Sequence, residues 1–153
     1  MIRCLPVALC SWDYTLEGPS GIASLQFDWM TEQGSIDADG VEFEIRKHGY
    51  TSGRWTLEFE GEETASAQKT SVFSRTFDLR AGGESFVLQA RSALGRTFQM
   101  LRGGRVVATF APDHPFTRRA RIEPTVDDVN LVTLAFAFWL VAVVWRRAAR
   151  NSS

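Results

Sequence analysis

Arginine clusters on either side of an apolar segment are the residues whose type and spacing suggest chemistry. A guanidinium presents paired N–H donors that match phosphate oxygens, so such clusters can hold anionic lipid head groups. The alternative is a solvated rim together with capping of a helix end. If the apolar segment is an enclosed helix, we expect the two clusters at its opposite ends, about 25–30 Å apart. The candidates are Arg118, Arg119 and Arg121 before the segment, and Arg146, Arg147 and Arg150 after it.

Known catalytic and metal-binding patterns do not occur in the sequence. Gly103-Gly104 lacks the following Lys and Ser/Thr of a phosphate-cradling loop, and no G-x-S-x-G nucleophile motif is present. The cysteines and histidines also lack the spacing of a zinc site. They are Cys4, Cys10, His48 and His114. We therefore expect no catalytic residues, no metal and no cofactor, with an enzyme as the third and weakest alternative.

Charge is unevenly distributed along the chain. Residues 1–90 contain 7 basic and 14 acidic residues, whereas residues 91–153 contain 10 basic and 4 acidic residues. The two halves can attract each other on folding, or the basic part can face an anionic partner. For that partner we expect anionic phospholipid head groups and no nucleic acid.

An acidic run and a nearby acidic pair have two interpretations. They can be charged strand edges that discourage pairing with other chains. The alternative is a weak divalent cation site or a surface for a basic partner. The residues are Glu58, Glu60, Glu62 and Glu63 in the run, and Asp37 and Asp39 in the pair.

Strands dominate the first four fifths of the chain. Leu25, Phe27 and Trp29 alternate with polar residues, which indicates a half-buried antiparallel strand. Asp39-Gly40 and Gly103-Gly104 are two-residue hairpin signals. Arg75-Thr76-Phe77 and Arg96-Thr97-Phe98 repeat one pattern, which we interpret as the rhythm of a meander. We predict eleven strands, over 12–17, 22–30, 34–38, 40–47, 53–60, 64–69, 71–79, 84–91, 96–102, 105–110 and 117–123.

The segment Leu131 to Trp145 has one polar member, Thr133, and predicts a helix with no polar face. Asp127, Asp128 and Asn130 suit the helix start. Such a helix must be enclosed by protein or by lipid. Fifteen residues rise about 22 Å, less than a hydrocarbon core of about 30 Å. A barrel of eleven or twelve strands is wide enough to need something inside, and a central helix fills it.

Two stretches resemble a known superfamily. They are the run from Pro124 to Val129 with the apolar segment Leu131–Leu140, and the hairpin Leu101–Ala108 with its Gly-containing turn. Together with many strands before a terminal apolar helix, they resemble the tubby C-terminal-like superfamily, of the phospholipid scramblase and LURP-one-related type. The resemblance implies a twelve-stranded barrel around a hydrophobic helix.

We therefore predict a mainly β fold, an antiparallel barrel of about 11–12 strands that encloses a C-terminal hydrophobic helix. The expected organisation is a tail at 1–11, one barrel domain at 12–149 with its central helix at 127–149, and a tail at 150–153. The expected function is non-enzymatic binding of anionic lipid or a membrane surface. No secretory signal is recognisable, so we expect a cytoplasmic protein, peripheral at the membrane. The alternative is a single-pass membrane protein whose transmembrane helix spans 130–149.

Overall fold

The computed structural model describes residues 1–9, 11–49, 53–71 and 74–152. Within these residues the chain forms strands followed by one helix. The strands are β1 (Ile2–Pro6), β2 (Tyr14–Gly18), β3 (Gly21–Asp28), β4 (Gln33–Ala38), β5 (Val41–Lys47), β6 (Arg54–Phe59), β7 (Glu62–Lys69), β8 (Thr76–Ala81), β9 (Glu84–Ala90), β10 (Phe98–Arg102), β11 (Arg105–Pro112) and β12 (Ala120–Pro124). The helix is α1 (Leu131–Asn151).

The strands form a closed barrel. Each strand pairs antiparallel with the next one along the chain, and β1 also pairs antiparallel with β12. The closing register places Ile2 opposite Ile122 and Cys4 opposite Ala120. The antiparallel barrel that the sequence predicts is confirmed, with twelve strands.

The prediction of a tail at 1–11 is wrong for the residues that form β1. Ile2 and Cys4 are buried in the barrel core, while Arg3 between them is exposed. The alternation is too short to predict a strand, and β1 is stable because it pairs on both sides, with β2 and with β12.

Helix α1 fills the barrel, which confirms that the strands enclose it. Every residue from 134 to 143 has an exposed fraction of 2% or less. Ten residues make almost three helical turns, so these side chains cover every face of the helix. Burial on all faces satisfies the requirement that an all-apolar helix be enclosed.

Aromatic side chains from the strands contact the middle of the helix. The ring of Tyr14 meets the ring of Phe138 edge-on, with 4.8 Å between centroids. Trp139 lies 5.0 Å from Phe27 and 6.4 Å from Trp55, again between ring centroids. Such pairs contribute about 0.5–1.5 kcal/mol each beyond the burial of their area. They fix the rotation of the helix inside the barrel.

The helix begins and ends later than the sequence predicts. The range 127–149 is replaced by Leu131–Asn151, so Arg150 belongs to the helix and not to a tail. Asn130 is the N-cap, and its side chain accepts a 2.8 Å hydrogen bond from the backbone N–H of Thr133. Asp128 lies before this cap, where its carboxylate accepts a 2.9 Å hydrogen bond from Arg102.

The two ends of the barrel differ in their connections. At one end, which we call the short-turn end, two residues join the strands of each of the pairs β2–β3, β4–β5, β6–β7, β8–β9 and β10–β11. The β4–β5 turn shows why two residues are enough. Asp39 and Gly40 both adopt positive φ, 51° and 88°, as a tight hairpin requires. At the other end, the long-loop end, the connections contain four to seven residues.

Most of the predicted strands extend by one or more residues into these long loops, and the strands predicted at 22–30 and 71–79 are two examples. The strand predicted at 22–30 ends at Asp28, so Trp29 lies in the β3–β4 loop with 61% of its surface exposed. The strand predicted at 71–79 begins at Thr76, and its residues 72–73 lie outside the described part of the chain. In the segment 22–30, the alternation of apolar and polar residues continues past Asp28, the last residue of the strand. The sequence pattern therefore predicts a strand that is too long.

We expect a chain that ends at Thr125 to lose cooperative folding. Removing α1 exposes the inner wall of the barrel, and the lost burial is on the order of 20 kcal/mol, more than the net stability of a typical domain. Near-ultraviolet circular dichroism and thermal melting measure the effect, with a chain ending at Asn151 as the control. A soluble 1–125 chain with a cooperative melt would show that the barrel does not need the helix.

Candidate functional site at the long-loop end

Both arginine clusters lie at the same end of the molecule, so their expected placement at opposite ends is wrong. Strand β12 begins at the long-loop end and crosses the wall, and α1 then runs back through the interior. The residues before β12 and the residues at the end of α1 therefore meet. Arg118 and Arg147 line one common cavity.

The other predicted anion-binding residues have separate environments. Arg121 lies on the outer wall, where it donates to Glu123 at 3.2 Å and to the carbonyl of Pro112 at 3.1 Å. Arg119 is exposed in the β11–β12 loop, directly before β12, and Arg150 lines a second cavity beside the first. Only part of the predicted set therefore contributes to one site.

Arg146 is buried between two rings. Its guanidinium lies 5.6 Å from the centroid of Phe27 and 5.6 Å from the centroid of Trp29. Burial lowers the pKa of Arg146 from its ordinary value, and neighbouring Arg150 lowers it further. Its Nη1 has no hydrogen-bond partner among the described residues. Cation–π contacts thus hold a charge that forms no direct ion pair among the described residues, although the nearby Glu32 carboxylate raises the pKa of Arg146.

Three arginines that we call the bridging arginines, Arg75, Arg96 and Arg118, tie the long loops together. Each donates from its guanidinium to backbone carbonyls of another loop. Arg75 binds the carbonyls of Ala93, at 2.9 Å, and of Gly95 in the β9–β10 loop. The guanidinium fork satisfies loop carbonyls that no strand pairs, and so it fixes the loop conformation.

Arg96 and Arg118 continue the same arrangement round the barrel. Arg96 donates to the carbonyls of Pro115, at 3.1 Å, and of Thr117, at 2.9 Å, in the β11–β12 loop. Arg118 donates to the carbonyl of Ser11 in the β1–β2 loop. Three arginines therefore link four successive long loops in series, from the β7–β8 loop to the β1–β2 loop.

The repeated Arg-Thr-Phe pattern of the sequence marks two of these positions. Arg75 directly precedes β8, whereas Arg96 and Arg118 each stand two residues before β10 and β12. The meander rhythm thus has a structural role, since it places one arginine in each of two successive long loops. Sequence reasoning missed Arg75 and Arg96 as site residues because the repeat did not show where their side chains lie.

An open cavity of about 880 Å³ lies between the loops and the last turns of α1, and we call it the rim cavity. Its wall is partly apolar, with Trp145 and Val144 from the helix and Phe116 and Leu94 from the loops. Trp145 donates from Nε1 to the carbonyl of Arg96 at 3.0 Å, so its indole N–H is satisfied. The basic residues that line the cavity are Lys69, Arg75, Arg96, Arg118 and Arg147.

No Asp or Glu lines the rim cavity in the described part of the chain. Among the described residues, none of the three bridging arginines forms an ion pair, and the hydrogen-bond partners of their guanidinium groups are neutral carbonyls. Burial lowers the pKa of Arg75 and of Arg96, which reflects the cost of keeping charge out of water. The arrangement is positive and suited to an anion.

Glu32 neutralises Arg147, the arginine of the rim cavity that is not a bridging arginine. Arg147 donates to both carboxylate oxygens of Glu32, at 2.7 Å from Nε and 2.6 Å from Nη2. Lys47 donates to the same carboxylate at 2.7 Å, and Trp55 donates from Nε1 to the Glu32 carbonyl at 3.0 Å. This buried group anchors the end of the helix to the β3–β4 loop.

Exposed apolar residues stand at the tips of the long loops. Leu94 and Phe116 are 97% and 96% exposed, and they flank the rim cavity. Side chains of this size are rarely left in water without a purpose when they occur together. The exposed large apolar residues of the described long loops are Val7, Leu9, Trp29, Met30, Leu94 and Phe116. Sequence reasoning missed these residues, because the same residue types also build the core.

The connections carry opposite charge at the two ends of the barrel. In the described part of the chain, the long loops and the helix end from Arg146 hold eight basic and three acidic residues: Arg75, Arg91, Arg96, Arg118, Arg119, Arg146, Arg147 and Arg150, against Asp13, Glu32 and Asp113. The described turns and the segment before α1 at the other end hold only acidic charges: Asp39, Glu60, Asp127 and Asp128. The basic surface therefore lies at the long-loop end of the barrel axis, opposite the acidic turns.

The acidic run does not protect a strand edge, because a closed barrel has no free edge. Glu58 accepts a hydrogen bond from Thr56 at 2.9 Å, and Glu63 pairs with Arg54 at 3.2 Å. Within the described residues, no group of three His, Cys, Asp or Glu side chains is placed to hold a metal ion.

No family model matches the chain, and no curated protein or solved structure matches it either. The geometry of the long-loop end therefore carries the functional argument.

We expect Glu32→Gln to remove an acid-sensitive part of the stability. Burial alone would raise the pKa of Glu32, but hydrogen bonds from Arg147 and Lys47 prevail and lower it from 4.5 to about 2. The ionised carboxylate thus stabilises the fold fully above pH 4.5, and this contribution is lost as the pH falls through about 2.

The predicted difference in unfolding free energy between wild type and Glu32→Gln is about 3 kcal/mol at pH 7 and shrinks below pH 4.5. Urea unfolding at several pH values measures it, with exposed Glu42→Gln as the control. A difference that stays constant from pH 7 to pH 3 would contradict this account of Glu32.

We expect Arg96→Gln to loosen the β11–β12 loop. The substitution removes the charged donors that bind the Pro115 and Thr117 carbonyls, and hydrogen bonds to charged groups contribute about 1.5–3 kcal/mol. The backbone amides of residues 113, 114 and 116–119 should then exchange about tenfold faster or more in hydrogen-exchange measurements. Arg91→Gln removes the same charge from an exposed position, and equal effects of the two variants would contradict bridging.

Proposed function

We propose that the protein binds anionic membrane surfaces with its long-loop end and has no catalytic role. The observation that carries the proposal is the combination of exposed apolar loop tips with a ring of arginines at one end of the barrel. Apolar side chains gain free energy when they enter the acyl region, and arginines gain it from anionic head groups. Exposed apolar tips or a basic surface alone would not indicate membrane binding. A surface that contacts only water requires neither of them, so their occurrence together supports the proposal.

The bridging arginines support this proposal because they hold the apolar tips in place before contact. Arg96 binds the loop that carries Phe116, and Arg75 binds the loop that carries Leu94. A preorganised surface loses less conformational entropy on binding than mobile loops would lose.

The axial charge distribution also supports the proposal. A barrel with a basic long-loop end and acidic turns at the other end is oriented by a negatively charged membrane. The long-loop end faces the lipid, and the acidic short-turn end faces away. This orientation fits a cytoplasmic protein that is peripheral at the membrane.

We further propose membership of the tubby C-terminal-like superfamily, of the scramblase or LURP-one-related type. The support is the closed twelve-stranded antiparallel barrel around a single C-terminal helix, together with the quoted sequence stretches. The family proposal concerns the fold and adds no binding residue to the site described above.

A single-pass membrane protein is the second candidate, because an 18-residue window of the 21-residue helix α1 has a mean hydropathy of 1.6 and the composition of a membrane span. However, 78% of that apolar window is buried inside the barrel. An alkaline carbonate wash separates the candidates, since it releases a peripheral protein and leaves an integral one in the membrane pellet.

We expect the purified protein to sediment with phosphatidylglycerol-containing vesicles and not with pure phosphatidylcholine vesicles, and to be released by salt. Phe116→Ser should weaken binding about tenfold, since burying a Phe side chain contributes about 1.5–3 kcal/mol. Ile22→Ser is the matched control, because Ile22 is an exposed apolar residue in β3 near the short-turn end. Equal recovery with neutral and acidic vesicles would remove the lipid proposal.

A further inference from the structure

The rim cavity contains more positive charge than the protein neutralises. Arg147 is paired with Glu32, but no carboxylate in the described residues pairs with Arg75, Arg96 or Arg118. The C-terminal end of α1 adds only a partial negative charge, roughly half an elementary charge. An occupant with more than one negative charge would balance the cavity better than a singly charged one.

Hydrogen-bond donors remain for such an occupant. A guanidinium has five N–H donors. The described bonds to loop carbonyls use three donors of Arg75, two of Arg96 and two of Arg118. These bonds hold each guanidinium group in a fixed orientation. The N–H donors that remain are therefore already positioned before a ligand binds.

The apolar wall of the cavity indicates what the anion is attached to. Trp145 lies beneath Arg96, with the guanidinium 4.7 Å from the ring centroid. Phe116 and Leu94 stand at the opening and are almost fully exposed. A ligand held here therefore has its charged group among the arginines and its apolar part along Phe116 and Leu94.

We propose that the rim cavity binds the head group of one anionic lipid whose phosphate is a terminal monoester. A phosphate monoester carries close to two negative charges at pH 7 and three strong acceptor oxygens, whereas a diester carries one charge. The acyl chains of the bound lipid pass between Phe116 and Leu94 and extend into the bilayer. This inference deepens the membrane-binding function and rests on it, but it adds selectivity among acidic lipids.

The test compares phosphatidate with phosphatidylglycerol in phosphatidylcholine vesicles whose measured surface potentials are matched. We expect about tenfold tighter binding to phosphatidate, the gain of an additional charge-assisted hydrogen bond. Equal binding to the two vesicles would overturn the head-group inference and leave general binding to anionic membranes intact.

Three variants connect the preference to the cavity. Ala148→Trp fills the cavity from the exposed last turns of α1 and removes no arginine, so it should abolish the phosphatidate preference and keep binding to phosphatidylglycerol. Arg75→Gln should also abolish the preference. Arg91→Gln removes an equal charge outside the cavity and should retain it. Retention of the preference in Ala148→Trp would overturn the assignment to this cavity.

A soluble probe separates failure of the site from failure of membrane binding. Short-chain dihexanoyl phosphatidate, below its micelle concentration, is titrated by calorimetry against wild type and Ala148→Trp. Binding to wild type alone supports the site even if vesicle binding fails. Equal affinity for glycerol 3-phosphate would overturn the lipid assignment in favour of a free phosphate ester. Absence of binding to either probe would overturn the inference.

Discussion

Burial of an apolar helix with no polar face is the constraint on which the rest of the structure depends. Helix α1 cannot remain in water, and twelve strands close into a wall too wide to fill with their own side chains. Trp139, in contact with Phe27 and Trp55, joins the two parts. Because each part supplies what the other lacks, the barrel and its helix form one cooperative unit.

That constraint also decides where the charged residues meet. An up-and-down barrel with β12 directly before the helix returns the end of α1 to the end where β12 starts. Arg118 and Arg147 are therefore neighbours across the rim cavity, although they are far apart in sequence. Glu32 then fixes Arg147, and so the last turns of the helix, against the wall of the barrel.

The long-loop end combines rigidity with uncompensated charge. The bridging arginines satisfy loop carbonyls that lie outside the strand ladder, and they keep their own charge because a carbonyl is neutral. Loops held in this way present Leu94 and Phe116 to the outside. The proposed membrane binding rests on this combination of basic charge, preorganised loops and exposed apolar tips.

The sequence by itself determined the local order of the fold. Alternation along the strands, Asp39-Gly40 and Gly103-Gly104 as turns, and Asn130 before an apolar run are local signals that the structure confirms. Only the tertiary structure decided which residues form the site. The strand at Ile2–Pro6, the inward or outward placement of aromatic residues, and the convergence of arginines from separate loops depend on barrel closure and on the return path of the helix. These are long-range contacts, and a period of two or of 3.6 residues in a linear pattern does not encode them.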